Sequence, residues 1–262
     1  MRKKVLAALL AAAVAGTTVM SGMTVFAAET EGTKAEGGNI TIAETADPQN
    51  INPLYVVDQT SFDMMQALYS PFFEIVNGEM YYGNGLCESV TANDDASEFT
   101  LKLKDGLKWH DGQPITADDV VFTFKRITDP NFEFNQAYPA EFPYATDMGL
   151  PDNLASIDKI DDYTVKITLN RQEAPFLADL AMGFASIMSA EYAAQLDKAG
   201  KQQDLNLKPV GTGPFVLKSY QKDAMVRYSA NTEYWRGKAK VDSLVFAITP
   251  DPNVRQQRVK AG

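Results

Sequence analysis

The sequence is short of the residues from which most catalytic and metal sites are built. It has one cysteine, Cys87, and one histidine, His110. A single cysteine excludes an intrachain disulfide, and one Cys with one His supplies no zinc set of any recognised spacing. Cys87, with no second thiol or histidine near it in sequence, reads as a small buried hydrophobe. Basic charge is also scarce: 24 Lys and Arg stand against 34 Asp and Glu, a net charge of −10. An acidic chain without basic clusters excludes nucleic acid and anionic lipid as natural partners. Long apolar runs are missing as well. The longest, Val5 to Ala15, has 11 residues, and a membrane span needs roughly 20.

That short run has a different reading. Arg2-Lys3-Lys4 precedes it, and small residues follow around Val25-Phe26-Ala27. A basic start, an apolar middle and a small-residue end are the three parts of a secretory signal peptide, with cleavage expected after Ala27. Met20-Ser21-Gly22-Met23 resembles a lipoprotein box whose last residue should be cysteine. Methionine has no thiol to acylate, so a free, unanchored exported protein is expected, periplasmic or extracellular. Without Arg2, Lys3 and Lys4 the balance becomes 21 basic against 34 acidic residues. Residues 28–38, AETEGTKAEGG, are polar and glycine-rich and read as a flexible linker.

The remaining 45% hydrophobic, 22% charged composition is that of a globular domain. Asn39 to Ala43 reads as a first strand, and Asp47-Pro48 and Asn52-Pro53 as loop punctuation. Phe62, Met65, Leu68 and Tyr69 have helical spacing, which predicts a helix over Ser61 to Tyr69. Phe99, Leu101 and Leu103 alternate with polar residues and end at Asp105-Gly106, a half-buried strand and its turn. Tyr163, Val165, Ile167 and Leu169 alternate in the same way. Val241 to Ile248 is apolar on both faces, as a central strand should be. Asp251-Pro252 opens a helix inside which the chain stops, and a truncated chain is expected. The class is mixed α/β without a regular βαβ rhythm.

The stretch 107–126, LKWHDGQPITADDVVFTFKR, holds the one histidine beside Asp111, with Asp118-Asp119 close behind. General acid–base catalysis would need an oriented partner for the imidazole, and adjacency along an extended chain does not provide one. The structural alternative accounts for every polar residue. Thr116 is a good N-cap, Asp118 and Asp119 offset the helix dipole, and Asp119 stands in a near capping box. Val120, Phe124 and Ile127 then form a buried stripe, and Asp111-Gly112 a turn. The stretch is scaffold. Gly211-Thr212-Gly213 is no dinucleotide loop, because the next glycine is missing and Pro214 removes a donor. Tyr234 and Lys238 have a dehydrogenase spacing with no glycine-rich turn to support it, and no pair among the 34 acids singles itself out as a glycosidase pair.

Taken in order, INPLY, the 99–126 stretch, SIDKIDDYTVKITL at 156–169, PVGTGPFVL at 209–217 and NTEYWRGKAKVDSLVF at 231–246 resemble the family 5 extracellular solute-binding proteins of ABC transporters, the dipeptide- and oligopeptide-binding group. Where that family carries Pro-x-Leu-Ala-Glu-Ser-Trp, Val90 replaces the Trp. The resemblance implies an α/β, periplasmic-binding-protein type II-like fold. Here that would be the first lobe with an extra subdomain, the second lobe missing: a sheet domain of about 39–71 and 172–262, and an inserted subdomain of about 72–171. It implies a non-enzymatic monomer without cofactor that captures peptides for an ABC permease. Nickel chelates or oligosaccharides are alternative ligands, and a secreted hydrolase lacking its catalytic part is an alternative class. By the same resemblance Val57, Asp58 and Gln59 are an exposed strand edge that receives ligand backbone. Phe134 and Tyr138 either wall the cleft or anchor their loop, and Gly211–Gly213 forms a tight turn near the hinge.

Overall fold

The structure, a computed structural model, describes residues 37–173 and 175–261. The expected signal peptide, its cleavage at Ala27 and residues 28–36 of the linker lie outside the described residues. The last two linker positions do not behave as a tether. Gly37 donates its N–H to the Lys240 carbonyl at 2.6 Å, and Gly38 donates to Asp242 Oδ2 at 3.1 Å. Their left-handed φ values of 90° and 84° are conformations that glycine alone adopts freely.

Strand β1 (Asn39–Glu44) pairs in parallel with β10 (Ser243–Ile248), so Asn39 faces Ser243 and Glu44 faces Ile248. Strands β8 (Phe215–Gln221) and β9 (Met225–Ala230) complete this sheet in the order β1-β10-β9-β8, with β9 antiparallel to both neighbours. The interior place of β10 is what its two-sided apolar sequence predicts: Leu244, Val245, Phe246 and Ile248 are all buried. A short hairpin, β2 (Glu74–Val76) and β3 (Glu79–Tyr81), turns at Asn77-Gly78, both at positive φ, as a two-residue hairpin loop demands. The second sheet runs β4 (Cys87–Ala92), β5 (Glu98–Leu103), β7 (Thr164–Leu169), β6 (Leu154–Asp161), antiparallel throughout. Phe99, Leu101, Leu103, Val165, Ile167 and Leu169 point inward, as their alternation predicts. Cys87 is buried with them, and burial pushes its thiol up to about 12, an inert state.

Helix α1 spans Gln59–Gln66 and α2 spans Ala117–Thr128. The first begins earlier than its apolar spacing suggests, because the Asp58 side chain caps it by accepting from Ser61 N–H at 2.9 Å. It also stops before Leu68, whose carbonyl is engaged elsewhere. In α2, Val120, Phe124 and Ile127 are buried, and the helix packs on β6 and β7. Asp119 does more than close a capping box. Its carboxylate accepts from Thr116 N–H at 2.9 Å, from the Trp109 indole at 3.2 Å and from Ala190 N–H at 2.9 Å. Burial raises its pKa, and these three donors oppose the rise. Asp118, exposed, pairs with Lys159 at 2.8 Å. The two acids therefore face different partners and form no catalytic pair.

His110 and Gly211–Gly213 form the junction between these parts. Gly211 N–H donates to His110 Nδ1 at 3.2 Å, which leaves Nε2 as the protonated nitrogen, 3.0 Å from the Gly213 carbonyl. The His110 N–H also donates to the Gly211 carbonyl at 2.9 Å. On the other side, Thr212 and Gly213 N–H both donate to the Leu68 carbonyl, at 2.9 and 2.7 Å. Ser70 N–H closes on Thr212 Oγ1 at 2.9 Å. The expected tight turn is replaced by a close approach. A Cβ on Gly211 would stand 2.1 Å from the Leu68 oxygen, and one on Gly213 would stand 2.6 Å from the Leu68 carbonyl carbon. Tyr234 and Lys238 also have separate partners, Ser70 Oγ at 3.3 Å and Asp242 at 2.6 Å, and constitute no dehydrogenase pair.

Gly211→Ala is expected to lower unfolding free energy by about 2–3 kcal/mol in a urea titration, since backbone rather than a soft side chain must move. A loss below about 0.5 kcal/mol, the usual range of surface changes, would refute the close-approach account. His110 supplies a pH dependence. Burial lowers its pKa, so the unfolded chain takes up a proton before the folded one does. Its contribution is complete above the unfolded value of about 6.5 and is lost as pH falls from there toward the depressed folded value. Urea titrations at pH 7.5 and 5.0 should show a smaller acid loss for His110→Gln than for wild type. Equal losses would remove His110 as the cause.

Candidate functional site

The site grows from the loop after Asn52-Pro53. Asn52 is almost fully buried; its Oδ1 accepts from Leu54 N–H at 3.1 Å and its Nδ2 donates to the Leu205 carbonyl at 3.2 Å. Ile51, Leu54 and Val56 anchor the loop in the core. Val57, 48% exposed, then leads into Asp58 and Gln59. These three residues are not the strand edge that the sequence suggests. Only the approach is extended, since Asp58 caps α1 and Gln59 is the first helical residue. Gln59 Nε2 donates to Asp63 Oδ1 at 2.6 Å, one helical turn along.

Asp58 and Gln59 border a cavity of about 280 Å³ whose other walls include Pro53, Val56, Phe62, Tyr144, Met182 and Phe184. Tyr144 stacks on Phe184 with ring centres 6.2 Å apart. Gly183 is required here for space: a Cβ would lie 2.9 Å from the Phe62 ring. A second cavity, about 330 Å³, shares Phe62 and Gly183 with the first and continues past Gln66 to Ser70, Glu74, Asn84, Tyr234 and Arg236. The two form one groove along α1, which at 1.5 Å per residue is about 12 Å long. One end is apolar with a single carboxylate, and the other is polar with both charge signs. A larger cavity, about 660 Å³, opens elsewhere, between residues 203–209 and β8. It contains none of the residues expected from the sequence to touch ligand.

Phe134 and Tyr138 lie away from this groove. They belong to a cage around Arg126, whose side chain is fully buried. The guanidinium sits 4.6 Å from the Phe134 ring centre and 5.4 Å from those of Tyr138 and Phe142. It donates to the Tyr55 hydroxyl at 2.6 Å, to Asn135 Oδ1 at 2.6 Å and to the Tyr138 carbonyl at 3.1 Å. No carboxylate pairs with it among the described residues. Burial raises the Tyr55 hydroxyl pKa, so the cage is a neutral phenol and aromatic faces around a cation. Tyr55 is two residues before Val57, and in this way the cage fixes the loop without touching the groove. Tyr144 is the aromatic of the 132–144 stretch that does wall the cavity. Nothing in local periodicity separates it from Tyr138.

Catalytic and metal chemistry find no support at the groove. Both ring nitrogens of His110 are engaged in the junction, and among the described residues no three His, Cys, Asp or Glu side chains are placed to hold a metal. No helix among the described residues is long and apolar enough to cross a membrane.

Residues 82–262 match the family described as bacterial extracellular solute-binding proteins, family 5 Middle. The chain is 44% identical over 237 residues to a di/tripeptide-binding protein 1 of Pseudomonas aeruginosa, covering 87% of this chain and 44% of that protein. It is 37% identical over 242 residues to heme-binding protein A of Haemophilus influenzae, covering 90% and 44%. Among solved structures, the ABC transporter-associated periplasmic binding protein DppA of Helicobacter pylori, in complex with the peptide STSA, superposes with a TM-score of 0.80 at 32% identity, over 87% of this chain and 46% of that one. The chain thus spans less than half the length of these relatives, and its mixed α/β fold is part of the periplasmic-binding-protein fold. On the strength of a family match covering most of its length, this chain belongs to the bacterial extracellular solute-binding proteins of family 5.

Proposed function

We propose that the protein to which this chain belongs is a non-enzymatic, exported receptor that captures short peptides and delivers them to the permease of an ABC importer. The observation that carries this reading is the groove along α1. A ligand lying in it meets apolar walls and one carboxylate at one end, and Arg236, Glu74 and Tyr234 at the other. A zwitterionic peptide with an apolar side chain has matching chemistry. Kinship with di/tripeptide-binding proteins agrees with it.

The sheet of β1, β10, β9 and β8, with residues 39–71 and 172–262, would form the core of a first lobe, and residues 72–171 an inserted subdomain. Closure of a second lobe over the groove would complete the site. Export fits the family; a signal peptide cleaved after Ala27, leaving a free monomer outside the cytoplasm, completes the proposal. The exposed backbone at Val57 would pair with the ligand main chain just ahead of the helix.

The likeness to a heme-binding protein favours one second reading, a heme receptor. Within this chain, His110 cannot serve as an axial ligand while both its nitrogens hold residues 211–213.

The test is thermal unfolding of the full-length protein with di- and tripeptides, heme or nickel–histidine. A peptide at about a thousandfold excess over its Kd should stabilise the fold by about 4 kcal/mol, a rise of several degrees. A rise with heme or nickel–histidine and with no peptide would overturn the peptide reading.

A further inference from the structure

We propose that Asn77-Gly78 is a modification site, at which the chain deamidates unaided through a cyclic imide, and that the product loosens the β2–β3 hairpin. The site is independent of which ligand the groove takes.

The sequence holds two Asn-Gly dipeptides, Asn77-Gly78 and Asn84-Gly85, and the structure treats them differently. In either one, the glycine nitrogen is a nucleophile poised beside the asparagine amide carbon, because glycine has no Cβ to crowd the approach. At Asn84-Gly85 both reacting groups are held. Asn84 Nδ2 donates to Glu74 Oε2 at 2.6 Å, and Gly85 N–H donates to the Tyr82 carbonyl at 3.2 Å. Gly85 is also buried, so tightly that a Cβ there would stand 2.1 Å from the Phe72 oxygen. At Asn77-Gly78 both residues are exposed, and no hydrogen bond among the described residues holds either group.

The turn sets the pace. Positive φ at both residues, 54° and 83°, makes it type I′. In that turn ψ of the first central residue is about +30°. The Gly78 nitrogen then points away from the Asn77 side chain, so the ring closes only when the turn opens. Opening is easy here. The hairpin is a sheet of its own with three residue pairs, and an isolated two-stranded hairpin is marginally stable. Ile75, Val76, Met80 and Tyr81 are 36–49% exposed, so little packing keeps it shut.

The chemistry needs only water. The Gly78 nitrogen gives its proton to hydroxide and bonds to Asn77 Cγ; the Cγ–Nδ2 bond breaks, and ammonia leaves with a proton taken from water. Water then adds to one of the two ring carbonyls. Opening at Cγ gives aspartate, and opening at the main-chain carbon gives isoaspartate, whose chain runs through Cβ and Cγ. That extra main-chain atom does not fit a two-residue loop closing Val76 on Glu79, and the new carboxylate lies close to Glu79. Glu74, at the far end of β2, pairs with Tyr81, holds Asn84 and lines the polar end of the groove. A loosened hairpin therefore carries the change to the groove.

The test is peptide mapping by mass spectrometry of the full-length protein, held for days at mildly alkaline and mildly acidic pH. Asn77 should convert at least about tenfold faster than Asn84, faster in base, with isoaspartate among the products. Asn84 in the same molecules is the control, so no variant has to fold. Hydrogen exchange of residues 74–81 should be faster in aged than in fresh wild type. Ageing should leave it unchanged in Asn77→Gly, which suits the turn and has no amide to lose. Equal conversion of Asn77 and Asn84, aspartate without isoaspartate at Asn77, or no conversion overturns the modification site. Conversion with unchanged hairpin exchange overturns the loosening.

Discussion

One carbonyl organises the molecule. The Leu68 oxygen, just past the end of α1, accepts from two successive N–H groups of the 211–213 segment. That can happen only because glycines at 211 and 213 let backbone lie against backbone. His110 clamps the same segment from the far side, in the one tautomer that lets Nδ1 accept and Nε2 donate. Three stretches distant in sequence, the end of α1, the 107–113 turn and the entry to β8, are thereby held in one place. The groove runs along α1, so its polar end inherits its position from this junction. Its apolar end depends on a second fixed point, the Arg126 cage that holds Tyr55.

The two fixed points use buried polar groups differently. His110 has partners on both ring nitrogens, and burial, which disfavours the charged ring, outweighs the Gly213 carbonyl and Asp111 that favour it, so its pKa is lowered. Arg126 stays cationic without a carboxylate by combining hydrogen bonds to a phenol, an amide and a carbonyl with aromatic faces. Asp119 is the anionic counterpart, a carboxylate satisfied by three neutral donors. Each of these is closed. Asp58 has one oxygen engaged in the cap of α1 and the other without a hydrogen-bond partner among the described residues.

Much of the fold was legible in the sequence. Alternation located β5 and β7, two-sided apolarity located β10, and the Thr116–Asp119 spacing located the start of α2. Scaffold was also the right reading of His110, though its partners were invisible, since Gly211 and Gly213 lie a hundred residues away. Apolar spacing overruns the end of α1, because it continues through Leu68 and Tyr69 into the core while the Leu68 carbonyl is taken by another segment. Glycines 211 and 213 announced a special backbone but not its kind, as close approach and left-handed φ leave the same mark in a sequence. The family resemblance puts Val57–Gln59 in an exposed strand edge, whereas Asp58 and Gln59 start α1. The competing signal was Asp58 itself, a strong helix cap three residues before Ser61. Phe134, Tyr138 and Tyr144 are indistinguishable by pattern, and only the position of Arg126 sorts them.

The parallel pairing of β1 with β10 has a kinetic consequence. Its hydrogen bonds join residues 39–44 to residues 243–248, across nearly the whole described chain. Such a pairing is among the most distant that the fold contains, and closing it carries the loop entropy of everything between. The antiparallel β4–β5–β7–β6 sheet needs only residues 87–169 and can assemble first. During synthesis β1 leaves the ribosome early and waits unpaired until β10 follows. Until synthesis has passed Ile248, residues 39–44 have no partner in their sheet.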